Sequence, residues 1–277
     1  MQGKITKNIS NDYTVLANNV SYICKSRGKF RNMHITPLVG DNVEFDEKAK
    51  YIMEILPRKN ELVRPPVCNI DQAIIVTSLK EPDFSTNLLD KLLTVVEYNN
   101  IKPIICFTKI DLLTEDELNE LKPYLEYYES IGYKTYYNNN VDSLKEIFKD
   151  KISVLTGQSG SGKSSLINRL DSSFNLKTDE ISMALGRGKH TTRHTELMKV
   201  CGGYLADTPG FSAISLSDME KSDIRDNFIE FNTYRHSCKY KDCMHNNEID
   251  CEIKNKVADK TILKSRYDNY IKFITSR

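Results

Sequence analysis

The stretch "VLTGQSGSGKSSLINRL", residues 154–170, constrains the fold of this chain more than any other. Within it, Gly157-Gln158-Ser159-Gly160-Ser161-Gly162-Lys163-Ser164 satisfies the pattern G-x-x-x-x-G-K-[ST] in full, and Ser165 follows as a further candidate phosphate contact. Its glycines let the backbone bend so that successive N–H groups point inward at phosphate oxygens. The helix that opens near Gly162 adds its positive end. Lys163 can reach the β- and γ-phosphates of a nucleotide, and the Ser164 hydroxyl can ligate Mg²⁺. At average residue frequencies such a match arises by chance in a chain this long roughly once in a hundred. An apolar strand pattern precedes it and a helical pattern follows, so an α/β sheet must carry it.

Two further loops fit the same site. "YLADTPG" ends a strand pattern about fifty residues on; there Asp207 can hold Mg²⁺ through a water, and the Gly210 N–H can sense the γ-phosphate. Thr108-Lys109-Ile110-Asp111 ends the strand pattern "PIICF". Asp111 can accept two hydrogen bonds from guanine N1–H and N2–H₂, a pair of donors that adenine lacks. A carboxylate left buried and unpaired costs about 3–5 kcal/mol, enough for strong discrimination. Lys109 can lay its aliphatic stem over the base. Thr108 stands where common GTPases carry Asn and keeps only a hydroxyl for bracing. The order along the chain is reader, cradle, Mg²⁺ loop. It is the usual GTPase circle cut just after the Mg²⁺ loop, with the old termini joined near "FKDKIS". Strand adjacency survives such a cut because domain termini often lie close together.

The flanks differ from this centre. Residues 1–64 read as about five short strands, among them "DYTVLANN", "VSYICKSR", "DNVEFDE" and "YIMEILPR", punctuated by Asn and Gly. That pattern predicts a small closed or partly closed β-barrel such as an OB-fold, although another small barrel would give it too. "LVRPPVCN" reads as a linker. Residues 65–215 alternate strands with helices, the pattern of a mostly parallel sheet covered on both faces. One of those helices opens with a capping box, Thr114 and Glu117. "TELMKV", Gly202-Gly203 and "YLA" predict a hairpin. Residues 216–277 are helical around one Cys/His-rich loop, and Ile262, Leu263, Tyr267, Tyr270, Ile271 and Ile274 form one packing stripe.

Of the seven cysteines, Cys24, Cys68, Cys106 and Cys201 read as small buried hydrophobes. Cys238-x4-Cys243-x-His245-x5-Cys251 offers three thiolates and an imidazole, a full set for one tetrahedral, structural Zn²⁺. His236, two residues before the cluster, is either an alternative ligand or a surface histidine.

"TKID", "GQSGSGKSSLIN", "GRGKHTTR" and "DTPGF", in this order and with the Cys/His cluster, resemble the ribosome small-subunit-dependent GTPase A (RsgA) family of circularly permuted GTPases. The likeness spans nearly the whole chain. It implies an OB-fold, a permuted P-loop GTPase domain and a C-terminal helical zinc domain. It also implies GTP hydrolysis to GDP, stimulated by the small ribosomal subunit during its late maturation, with rRNA as a partner. By the same resemblance Thr192 is the Mg²⁺ threonine, with Thr191 as the fallback, and His190 places the attacking water or contacts RNA or phosphate. Phe211 occupies the position where conventional enzymes have the water-orienting Gln. The family's base-ring loop after the reader is not visible in "YYNNN".

Charge agrees but does not decide. Residues 1–64 hold eleven Lys and Arg against seven Asp and Glu, in a chain of net charge +1. A basic front end permits a polyanionic partner, and a solvated surface explains it equally. No apolar run reaches the eighteen or so residues of a membrane span, and "MQGKITKNIS" has no signal-type segment. A cytoplasmic monomer without membrane contact is expected. A non-enzymatic RNA-binding adaptor clamped by GTP is the main rival; a P-loop kinase is a third reading, which the Asp111 reader opposes.

Overall fold

The computed structural model describes residues 1–62, 66–174, 195–206 and 216–276. At the N-terminus β1 (Gln2–Ile9), β2 (Asp12–Ala17), β3 (Val20–Ser26), β4 (Asn42–Asp46) and β5 (Tyr51–Ile55) close in the order β1-β2-β3-β5-β4-β1. A short helix α1 (Gly28–Asn32) links β3 to β4. The β3–β5 pairing is parallel and the others are antiparallel, the five-stranded arrangement expected of an OB-type barrel. Alternation fills it: Tyr13, Val15 and Ala17 of β2 point inward with Ile5, Cys24, Val43 and Ile52.

The first strand was the least visible in the sequence. Of its eight residues only Ile5 is buried. The reason is that β1 serves two sheets. A register shift between Ile5 and Lys7 turns it, and Lys7 and Asn8 then pair with the far edge strand of the α/β body. One sheet of eleven strands therefore runs through both regions.

"LVRPPVCN" proves not to be a plain linker. Glu61–Leu62 (β6) pairs with Val67–Cys68 (β7), and Leu62, Val67 and Cys68 are buried. Gly40, at φ +97°, lies so close that a Cβ there would sit 2.1 Å from the Cys68 carbonyl oxygen. Beneath it the buried Asp41 carboxylate accepts bonds from Arg58 at 2.7 and 2.8 Å and from the Cys68 thiol at 3.1 Å. Burial, then Asp41 beside it, pushes that thiol up. Cys68 is thus a hydrogen-bonded part of the joint rather than a small hydrophobe alone.

The body holds β8 (Gln72–Ser78), β9 (Lys102–Thr108), β10 (Lys134–Tyr137), β11 (Ile152–Thr156), β12 (Thr195–Val200) and β13 (Gly203–Ala206), ordered β10-β9-β8-β11-β13-β12. Only β12, joined to β13 by the predicted hairpin, runs antiparallel. Successive residues face opposite layers. Ala73 and Ile75 meet α2 (Thr86–Tyr98) and α3 (Glu115–Ser130). Ile74 and Val76 meet α4 (Val141–Phe148) and α5 (Lys163–Leu170). The Thr114–Glu117 capping box is present, with bonds of 2.8 and 3.3 Å. Cys24 and Cys106 are buried as read, while Cys201 is only half-buried in the hairpin turn.

The C-terminal region packs α6 (Lys221–Asp226), α7 (Ile229–Tyr234), α8 (Glu252–Ala258) and α9 (Lys264–Thr275) around Ile224, Phe228, Phe231, Tyr270 and Ile274. The predicted stripe on the last helix is there, but a charge sits within it. Arg266 is fully buried, 2.8 Å from Glu230 and 2.8 Å from Asp90 of α2, with its guanidinium 4.1 Å over Phe228. Tyr128 of α3 and Asn269 also donate to Asp90, at 2.6 and 2.7 Å. A buried pair lasts only when every partner is satisfied, so this network fixes the C-terminal helices to the body. Among the described residues no helix is long and apolar enough to cross a membrane.

Candidate functional site

The loop between β11 and α5 has the backbone its sequence requires. Gly157 stands at φ +138°, and a Cβ there would lie 2.1 Å from the Val76 carbonyl oxygen, so no other residue fits. Gly160 and Gly162 also take positive φ. Lys163 bends back and donates to the carbonyls of Gly157 at 2.9 Å and Gln158 at 2.6 Å, with burial lowering its pKa. Ser164 is buried at the first turn of α5. The Ser161 hydroxyl is buried without a hydrogen-bond partner among the described residues. A cradle that a Cβ would fill, an ammonium and an unpaired hydroxyl are the donor set of a phosphate site.

The reader lies on the same edge. Strands β9 and β11 are parallel with only β8 between them, so their ends stand about 10 Å apart. Thr108 closes that gap: its buried hydroxyl donates to the Ser161 carbonyl at 2.6 Å. The threonine thus braces reader to cradle although the usual amide is missing. Lys109 follows in the left-handed region, and Ile110–Leu112 form a single 3₁₀ turn that carries Asp111 on the surface.

Two neighbours were not picked out from sequence. The Glu81 carbonyl, after β8, accepts from the Lys109 ammonium. Asn138, after β10, takes a backbone bond from its N–H to the Phe107 carbonyl at 3.0 Å, and its own carbonyl accepts from Arg169 at 3.0 Å. Its side-chain oxygen is buried and unpartnered among the described residues. The available signal was positional: both loops leave the carboxyl ends of strands adjacent to the site. His190, Thr191, Thr192, Asp207, Gly210 and Phe211 lie outside the described residues.

The cysteine cluster assembles apart from this edge. One ligand atom from each of Cys238, Cys243, His245 and Cys251 lies within 4.8 Å of the others. His245 Nδ1 is 3.6 Å from Cys238 Sγ and 3.3 Å from Cys251 Sγ. A zinc tetrahedron with ordinary bond lengths has edges of roughly 3.3–3.8 Å; both His245 distances match them, and three thiols with one imidazole are a donor set that suits that ion. Burial lowers His245 to about 4, which keeps the imidazole neutral, and pushes Cys243 up to about 12, so a thiolate there requires a cation. Tyr267 and Tyr270 hold the loop through the carbonyls of His245 and Met244, at 2.7 and 2.6 Å. His236 is exposed and stands outside the cluster, which removes it as an alternative ligand.

A family model described as RsgA GTPase matches residues 55–217, and one described as RsgA N-terminal domain matches residues 2–51. The chain belongs to the RsgA family of GTPases. It is 52% identical to small ribosomal subunit biogenesis GTPase RsgA 2 of Oceanobacillus iheyensis, over 99% of this chain and 96% of that protein. To RsgA of Bacillus subtilis it is 45% identical, with the same coverage. Its fold is similar to the crystal structure of YloQ, a circularly permuted GTPase, with a TM-score of 0.85 and 40% identity over 99% of this chain and 94% of that one. YjeQ from Thermotoga maritima is similar too, with a TM-score of 0.86 and 35% identity over 99% and 97%. The order β9-β8-β11 brings the segment Thr108–Asp111 and the loop 157–165 to one edge of the sheet, although they are far apart in sequence. As an RsgA GTPase the chain is a GTP hydrolase.

Proposed function

We propose that this chain binds GTP with Mg²⁺ and hydrolyses it to GDP and phosphate during late maturation of the small ribosomal subunit, whose rRNA it binds in the cytoplasm and which stimulates its turnover. The observation that supports the nucleotide site is the Thr108–Ser161 bond, which ties the segment that carries Asp111 to the loop 157–165. The relatives' names, small ribosomal subunit biogenesis GTPases, support the cellular role.

In this reading residues 157–165 wrap the phosphates, and Lys163 offsets charge on the β- and γ-phosphates. Asp111 accepts from the guanine edge while Lys109 covers the ring. Ser164, Thr192 and Asp207 would hold Mg²⁺, which neutralises phosphate charge when bound. Gly210 senses the γ-phosphate and His190 orients water, because Phe211 cannot. Cys238, Cys243, His245 and Cys251 hold one structural zinc. The functional parts divide as 1–64, 65–215 and 216–277.

GTP turnover with and without small ribosomal subunits, for wild type and His190→Ala, tests the proposal. The expected result is a rate increase on adding subunits that the variant largely loses. An unchanged rate favours the second reading, a GTP-clamped RNA-binding adaptor, which Phe211 keeps in play.

A further inference from the structure

A polar cavity of about 420 Å³ lies at the seam between barrel and body, at the opposite ends of the strands from the nucleotide edge. Ile152 lines it, whereas Thr156 leads into the cradle, so the two sites stand about 13 Å apart. Lys4 and Asn42 enter from the barrel, Lys59 and Asp71 from the joint, and Asp150 and Lys151 from the turn before β11.

The charges there are unevenly matched. Asp71 is engaged by Lys59 at 2.5 Å and by the Ile152 N–H at 2.7 Å. Lys4 is half-buried, yet among the described residues its ammonium hydrogen-bonds only to the neutral Asn42 side chain, at 2.8 Å. Burial is the main cause that lowers its pKa, with Lys59 adding to it against weaker opposing pulls from Asp71 and Asp41. A sunken ammonium without a paired carboxylate is costly unless a ligand completes it. Lys151 lines the same cavity, exposed and in no ion pair among the described residues; of the two lining carboxylates that oppose an anion, Asp71 is already engaged by Lys59 and Asp150 is exposed.

We propose that this seam is a phosphate-binding site, in which a phosphate group bridges Lys4 of the barrel and Lys151 of the body. Its occupant therefore senses how the barrel sits on the body, independently of the nucleotide site. The phosphate comes either from an RNA backbone or from a small phosphorylated molecule.

The test uses the full chain with its nucleotide site saturated by a non-hydrolysable GTP analogue and Mg²⁺, so that the cradle cannot compete. Inorganic phosphate is titrated while the amide resonances of Ile152 and Gly202 are followed by NMR. Saturable shifts are expected. Lys4→Gln and Lys151→Gln each weaken binding about tenfold, Lys4→Arg restores it, and Asp150→Asn tightens it. Lys151 is exposed, so its variant keeps the test valid should Lys4→Gln fail to fold. Shifts that never saturate, or affinity unchanged in Lys151→Gln, overturn the proposal. Competition with a uridine octamer and with uridine monophosphate separates the sources. Stronger displacement by the octamer assigns an RNA backbone, equal displacement assigns a small molecule, and displacement by neither overturns the site.

Discussion

The phosphate cradle and the cysteine cluster are both short loops, yet they are held by opposite means. The cradle is shaped by backbone: β11 enters it, α5 leaves it, and Gly157 fits because nothing larger does. The cluster loop, between residues 238 and 251, has no strand or α-helix of its own and is shaped by four side chains that converge on one point. A backbone site persists without its ligand, whereas a side-chain site depends on its ion.

The largest expected effect tests that contrast directly. Cys243→Ser, or prolonged chelation, should remove the metal and melt the C-terminal helices, a loss of several kcal/mol, while GDP binding survives. Metal analysis and calorimetry on one sample, with nucleotide titration beside them, would show it; equal loss of GDP affinity breaks the comparison. Next comes the joint between the two regions. Arg266→Ala leaves Asp90 and Glu230 buried without their cation, so stability should fall by about 3–5 kcal/mol in denaturant unfolding.

Lys163→Ala should leave the melting temperature nearly unchanged yet weaken GTP binding about a hundredfold, as loss of charge-assisted bonds implies. Asp111→Asn sharpens the account of the reader, since an amide can donate to the 2-carbonyl of xanthine where the carboxylate accepted from guanine. Competition between guanosine and xanthosine diphosphates should then shift toward xanthosine. The smallest effect is expected from Thr108→Val, about 1 kcal/mol in nucleotide binding. It would show how much of the reader's alignment passes through the Ser161 carbonyl.

Much of this was legible in the sequence because it is local. The cradle, the Thr114 cap, the β12–β13 hairpin and the cysteine spacing each occupy a few consecutive residues whose chemistry permits few conformations. What stayed hidden depends on partners far along the chain. "LVRPPVCN" looks like a linker until Val67 and Cys68 are seen against Gly40 and Asp41. Strand β1 looks polar until its second sheet is counted. Arg266 looks like a surface residue of a helix until Asp90, 176 positions earlier, is found beside it.

The chain's own order of residues determined which chemistry it offers: a phosphate-loop pattern, a carboxylate placed to accept from guanine and four side chains that could hold a metal, since each is dictated by side-chain type and short-range geometry. Only the folded sheet decided that the segment at Thr108 and the loop 157–165, written in reverse, lie side by side. Hydrogen bonding between parallel strands sets neighbours by pairing and not by sequence position, so β8 could carry β9 and β11 on its two sides and bring Thr108 within reach of Ser161.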